Sequence, residues 1–342
     1  MSVNPRGLNV NSRRQQQGVA LITVMLIVAL AAIIAAQMTA RLHVQMQRST
    51  NISFNQQAYW YALGSEEFAK RVLINTFQDE PNVTHLEQIW AEGAQSYPVD
   101  FGEIGGEITD LQSCLNLNAL HPDAIKKSDD QGSHVKLPAA TVLEALIINL
   151  NIDNVDVFEA EAMVNALTDW LDSDDIITGT GGAEDSDYAS LEFPYLTANS
   201  YLGSVNELRL IAHFTPEIIY ALMPYVCVLP QNSQHLININ TLEADQPELL
   251  QALLDLSLDD AQSILGARDS AGYEDLDDFF QLPELSEVTV DEWQKAQFVV
   301  KSEYFKLKAN ARFNNSYFSM TSIMQVDSNQ QIQVISRTIG RN

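Results

Sequence analysis

Polarity changes abruptly at residue 18. The first eighteen residues are polar, carrying Arg6, Arg13 and Arg14 and no acid, and Val19–Ala36 then runs apolar with nothing more polar than Thr23. At about 1.5 Å per residue such a run crosses most of a ~30 Å hydrocarbon layer. The basic flank predicts a cytoplasmic amino end, which places the chain beyond residue 40 across the membrane. A cleaved secretory signal with a cut near Ala35-Ala36, or a plain single-span anchor, would share these features. From 37 to 77 there is no proline and Gly64 is the only glycine. Leu42, Met46, Ala58, Tyr61, Ala62, Phe68, Val72 and Leu73 recur near helical spacing, so one helix is predicted to reach about Phe77. The breaker run Asp79-Glu80-Pro81-Asn82 ends it.

A period of two governs the carboxyl end. Phe305, Leu307, Ala309, Ala311 and Phe313 alternate with Lys306, Lys308, Asn310 and Arg312, which predicts a strand. Asn314-Asn315 turns into a second strand with Phe318, Met320, Met324 and Val326 on one face, and Asp327-Ser328-Asn329 turns into a third over Ile332–Ile339. More sheet is expected within Pro98–Asn118, where Gly102, Gly105 and Gly106 punctuate β-prone runs. Helical patterns fill the middle: Ala140–Asn151, Val157–Leu171, Ser204–Ala212, Pro216–Met223, Gln246–Leu254 and Ser257–Ala267. The expectation is an α+β chain whose small antiparallel sheet is covered by the amino-terminal helix and interrupted by a large helical insertion. Cys114-Leu-Asn-Leu-Asn-Ala-Leu recurs in form as Leu236-Ile-Asn-Ile-Asn-Thr-Leu, each followed by acid-rich helices. A duplicated helical module and a chance match are the two readings.

Charge sharpens this division. The 342 residues carry 45 acids against 19 bases, a formal net charge of −26. From Thr141 to Gln294 there are 30 acids and two bases, Arg209 and Arg268, whereas Lys295–Asn342 holds seven bases and two acids, so a domain border is expected between them. Such a balance argues against nucleic acid, which is bound by clustered Lys and Arg. Asn238–Phe280 resembles a helix-hairpin-helix module, but its turn at Leu256-Ser257-Leu258 is flanked by Asp255, Asp259 and Asp260, which would repel phosphate; a structural or protein-facing role is expected. No G-x-S-x-G, H-E-x-x-H or Walker A pattern occurs, and no enzyme is expected.

Seven acids lie between Asp169 and Asp187: Asp169, Asp172, Asp174, Asp175, Glu184, Asp185 and Asp187, with no base among them. Gly179, Gly181 and Gly182 allow the loop to fold back and bring its ends together. Carboxylates held so close repel, take up protons or share a cation. Calcium, with about six to eight oxygen ligands at roughly 2.3–2.6 Å and tolerance for irregular geometry, suits an exported loop of this kind. The spacing is not that of an EF-hand, since Ile176 and Ala183 stand at the fifth and twelfth positions from Asp172. A solvated acidic loop is the alternative.

The stretch Arg13-Arg14-Gln15-Gln16-Gln17-Gly18-Val19-Ala20-Leu21-Ile22-Thr23 resembles the prepilin-type leader of type IV pilins and type II secretion pseudopilins. That resemblance implies cutting after Gly18 by a prepilin peptidase and N-methylation of Val19, with the apolar helix kept. Most such subunits have glutamate at the fifth mature position, where this chain has Thr23. Loss of that filament-core carboxylate is a mark of the minor pseudopilin K family. Asp169-Trp170-Leu171-Asp172-Ser173-Asp174, Gly182-Ala183-Glu184-Asp185, Pro194-Tyr195, Asn199 and Ser204–Arg209 resemble that family too.

The resemblance implies a pilin-like fold, with a long N-terminal helix packed on a small antiparallel sheet and a large mainly α-helical insertion. Its parts are a leader (1–18), spine helix (19–77, transmembrane over 19–36), first α/β part (78–120), helical insertion (121–294, with an acidic calcium loop at 169–187) and C-terminal strands (295–342). It implies Ca2+ on Asp172, Asp174, Glu184, Asp185, Asp187 and Asn199. It also implies a pseudopilus-tip subunit that helps start assembly, anchored in the bacterial inner membrane with its head in the periplasm. The implied partners are minor pseudopilins I and J, the major pseudopilin, and secreted substrate or the outer-membrane secretin. A minor pilin of a type IV pilus and a secreted periplasmic calcium-binding protein are the alternatives. Export to an oxidising compartment predicts a Cys114–Cys227 disulfide, with two buried free thiols as the other outcome.

Overall fold

The structure is a computed structural model and describes residues 17–124, 137–286, 288–327 and 329–340. The expected leader, with Arg6, Arg13 and Arg14, falls outside these apart from its last two residues. Helix α1 (Gln17–Asp79) is a single run of 63 residues, about 95 Å at 1.5 Å per residue. Every residue from Gly18 to Ser53 is exposed. Thr23 donates its hydroxyl to the Ala20 carbonyl at 2.9 Å, so the only hydroxyl of the span is satisfied locally. The back half behaves differently. Ala58, Ala62, Ser65, Glu66, Ala69, Leu73 and Phe77 recur every three to four residues and are buried. Strands β1 (Gln95–Val99) and β2 (Gly102–Asp110) follow as an antiparallel pair.

Beyond Asp110 the chain builds two copies of one module. The first comprises β3 (Leu115–Asn116), α2 (Pro138–Asn149), α3 (Val157–Leu171), the single turn α4 (Asp185–Tyr188), α5 (Pro216–Leu222) and β4 (Val226–Cys227), and β4 pairs in parallel with β3. The second comprises β5 (Ile237–Asn238), α6 (Pro247–Leu254), α7 (Leu258–Ala267), α8 (Leu276–Phe280), α9 (Glu292–Lys295) and β6 (Phe298–Val299), and β6 pairs in parallel with β5. The Asn-x-Asn motifs share two hydrogen-bond patterns. Asn116 Oδ1 accepts from Asn118 N at 3.2 Å, and Asn238 Oδ1 accepts from Asn240 N at 2.9 Å. Asn118 clamps the Leu202 backbone through both amide atoms at 3.0 and 2.7 Å. Asn240 clamps Tyr273 in the same way at 2.9 and 2.7 Å. The recurrence in sequence is thus matched by a recurrence of hydrogen bonds in the structure.

The copies differ most in one loop. From α7 to the clamped Tyr273 the chain is only Arg268–Gly272, and the Arg268 guanidinium donates to the Ile239 and Leu242 carbonyls. From α3 to the clamped Leu202 it is Asp172–Tyr201, the acidic loop. Both modules share one apolar core that includes Leu143, Leu146, Leu167, Leu250, Leu253 and Phe279. Cys114 and Cys227 are bonded, with Cα atoms 5.8 Å apart, and close the first module beside the β3–β4 pair.

The chain rejoins the sheet at β7 (Tyr304–Phe313), continuing through β8 (Ser316–Val326) and β9 (Ile332–Ile339) in the order β1-β2-β7-β8-β9, all antiparallel. The charge border at Lys295 therefore precedes the sheet, because Phe298–Val299 still belongs to the second module. Phe305, Leu307, Ala309 and Ala311 face α1; Phe77 of that helix and Trp90 of the turn Ile89–Ala91 meet Phe305 edge-on at 5.8 and 5.3 Å. Glu66 is buried in the same interface. Burial would raise its pKa, but Arg337 grips both its oxygens at 2.8 Å and Ser322 donates at 2.6 Å, and together they hold it below the ordinary glutamate value.

A polar joint links sheet to modules. Asp110, at the end of β2, is 5% exposed and accepts from Gln112 N and from the Thr241 and Ser302 hydroxyls. Burial pushes its pKa up to about 6, which those donors offset only in part.

Candidate metal centre

The loop after α3 must cross back over that helix to bring its two ends together. Gly181, at φ 81°, makes the crossing: a Cβ there would lie 2.3 Å from Ala162 Cβ on α3. At Gly182 a Cβ would stand 2.4 Å from Asp169 Oδ2. The Asn165 amide donates to Thr180 O at 2.9 Å and His213 Nε2 lies 2.9 Å from Gly181 O, so the crossing is pinned from both sides. Gly181→Ala is expected to cost about 1–3 kcal/mol of stability in denaturant unfolding, through overpacking on α3 and the unfavourable φ. An unfolding midpoint equal to that of the unaltered chain would contradict this account of the crossing.

The fold-back unites Asp172, Asp174 and Glu184, each offering one oxygen within 4.8 Å of the others. Asp172 caps the carboxyl end of α3 and Glu184 precedes α4, so two helix termini position the acids. Asp174 is exposed, whereas Asp172 is 8% and Glu184 3% exposed. Among the described residues, neither Glu184 carboxylate oxygen has a hydrogen-bond partner of good geometry. Burial first, then the neighbouring acids, pushes Asp172 up to about 6 and Glu184 up to about 7. Asp169 lies behind them, fully buried. Burial raises its pKa too, although the Thr178 amide donates to its oxygens at 3.0 and 3.2 Å.

Two buried carboxylates that form no ion pair among the described residues make an anion cage that a positive charge would relieve. Its all-oxygen donor set matches a hard divalent cation. The rest of the predicted ligand set is placed otherwise. Asp185 Oδ1 accepts from the Thr197 amide and hydroxyl at 2.9 and 2.6 Å, which holds its pKa below the ordinary aspartate value. The Thr197 hydroxyl also lies 2.8 Å from Asn199 Oδ1, so Asp185, Thr197 and Asn199 form a second polar cluster. Asp187 accepts from Glu184 N at 3.0 Å and so orients the acid that enters the cage. Thr197 was not foreseen from sequence, because its partner lies twelve residues away with no periodic relation. Trp170, Tyr188 and Tyr195 pack as an aromatic floor, with Tyr188 5.3 Å from each of the other two.

A long helix, exposed and apolar in front and laid behind across an antiparallel sheet, defines a pilin-type subunit, here with a double helical module set into the sheet. Family models described as type II secretion system (T2SS), protein K match residues 113–231 and 237–301, one to each module. Type II secretion system protein K of Aeromonas hydrophila is 35% identical over 96% of this chain and 98% of its own length. The Pseudomonas aeruginosa protein of that name is 31% identical over 96% and 94%. Among solved structures, a chain of the GspK-GspI-GspJ complex from the type 2 secretion system of enterotoxigenic Escherichia coli superposes with a TM-score of 0.74. It is 31% identical and covers 86% of this chain and 100% of its own. The chain belongs to the type II secretion system protein K family.

Proposed function

We propose that this chain is a minor pseudopilin that caps the tip of a type II secretion pseudopilus and helps initiate its assembly for export of folded periplasmic proteins. The observation that carries this reading is the division of α1, whose apolar front is wholly exposed while its back half buries one face against the head. Prepilin peptidase removes the leader after Gly18, Val19 is methylated, and the helix anchors the subunit in the inner membrane with its head in the periplasm. The same helix then packs beside those of the major pseudopilin. A head widened by two modules fits poorly into a repeating shaft, and Thr23 supplies no core carboxylate; both favour an end position. The complex of the Escherichia coli relative with GspI and GspJ supports minor pseudopilins I and J as partners. The secreted substrate or outer-membrane secretin is the further contact of the head.

The ion proposed for the cage is calcium, held by Asp172, Asp174 and Glu184, with the Asp185–Asn199 cluster and the Asp187 cap beside it. A bound cation would tie the end of α3 to the start of α4 and neutralise the buried charge. At the matching helix end, the carboxyl cap of α7, the second module has Arg268.

Intact mass of the membrane-extracted protein tests the main reading. The expected product begins at N-methylated Val19. A start beyond Ala35, or secretion that survives deletion of Val19–Ala36, overturns the proposal.

A further inference from the structure

We infer that residues 210–213 form a strap that sets the cation affinity of the cage, with His213 as its positioning residue. This inference rests on the calcium reading proposed above and concerns residues that supply no ligand to the ion. Three hydrogen bonds cross from the strap to the acidic loop. The Tyr195 hydroxyl donates to Leu210 O at 2.7 Å, Ala212 N donates to the Tyr188 hydroxyl at 3.1 Å, and His213 Nε2 lies 2.9 Å from Gly181 O. A carbonyl oxygen only accepts, so Nε2 carries the proton, as it does in the imidazolium and in one neutral tautomer.

Two of these ties bracket one acid. Gly181 stands three residues before Glu184 and Tyr188 four residues after it, so the adjacent residues Ala212 and His213 hold the chain on both sides of Glu184. Asp172 and Asp174 are placed from the other direction, by the carboxyl end of α3. How the strap lies against the loop therefore sets the gap between Glu184 and the other two acids. Glu184 is 3% exposed and, among the described residues, both its oxygens are without a hydrogen-bond partner. Its placement, not a competing donor, decides whether the three carboxylates can share one ion.

His213 holds the least favourable backbone of the strap. Its φ is 68°, in the left-handed region that suits glycine or asparagine better. The side chain is exposed, so packing does not account for a bulky residue there. Ile211 and Phe214, 4% and 8% exposed, fix the turn in the core on either side. The imidazole is thereby aimed across to Gly181. A strained residue kept for one contact with the cation loop is a positioning group.

Calorimetric titration of the intact, EDTA-stripped protein in detergent with calcium chloride tests the strap. His213→Gly accepts the φ but loses the donor, so calcium affinity should fall by about tenfold or more, as for removal of an outer-shell partner. His213→Gln, whose amide nitrogen reaches about as far as Nε2, should recover most of it. Denaturant midpoints in EDTA should not follow that order: in His213→Gly relief of the strain offsets the lost hydrogen bond, whereas Gln keeps the strain and restores the bond. Unaltered affinity in His213→Gly, no recovery in His213→Gln, or midpoints that fall in step with affinity overturns the strap and leaves the calcium reading standing. No calcium binding by the unaltered chain overturns that reading, and the strap with it.

Discussion

Calcium should raise the thermal midpoint of the intact protein, and Glu184→Ala should remove that response. At about a thousandfold above its dissociation constant, a ligand that binds only the folded state adds roughly 4 kcal/mol. The cage gives the effect a pH signature. The folded-state pKa values of Asp172, about 6, and Glu184, about 7, stand above those of the unfolded chain. Each group therefore favours folding while protonated, and that contribution is lost as pH rises through the folded value. In EDTA, stability is expected to fall between about pH 4 and pH 7; calcium should flatten the slope. Self-repulsion from the net charge of −26 acts in the same direction, so the decisive comparison is with Glu184→Gln, whose slope in EDTA should be shallower. An equal calcium shift in Glu184→Ala and the unaltered chain would remove the cage from the account.

Removing the disulfide should cost about 4–5 kcal/mol. Cys114 and Cys227 close a loop of 113 residues, and a crosslink of that span restricts the unfolded chain strongly on the chain-entropy view. The bond also stands where three parts meet: Cys227 packs with Leu111, Leu229 and Tyr304, so the end of β2, the first module and β7 are joined beside it. The Cys114→Ser/Cys227→Ser double variant should unfold at lower denaturant, and the unaltered protein under reductant should match it. A difference below about 1 kcal/mol would show that the short parallel strands and Asn116, whose side-chain oxygen accepts from Leu229 N at 3.0 Å, hold the module closed unaided.

Elements governed by a local period were legible before any coordinates. Strands β7 to β9 lie within two residues of the alternation that predicts them, because one face packs on α1 and every second side chain must be apolar. α3 begins at Val157 and ends at Leu171, as its pattern requires, since Asp156 caps it by accepting from Phe158 N and Glu159 N. The two-residue strands β3 to β6 were not legible. A pair of residues has no period, and each finds its partner only across a whole module.

The acidic loop divides along the same line. Its composition and glycines already require closely held carboxylates and a chain that doubles back. Which acids meet depends on where Gly181 crosses α3, and that crossing places Asp172, Asp174 and Glu184 together while Thr197 engages Asp185. Glu66 and Asp110 mark the same limit from within the core. Both read as ordinary polar positions in their elements, yet each is buried among partners far along the chain. From sequence alone came the exposed apolar span, the sheet with its helical insertion and the recurrence of Asn-x-Asn, because each is a property of neighbouring residues. Tertiary structure alone decided the clamps, the polar joint and the cage, because burial and charge pairing are set by residues that meet only when the chain closes on itself.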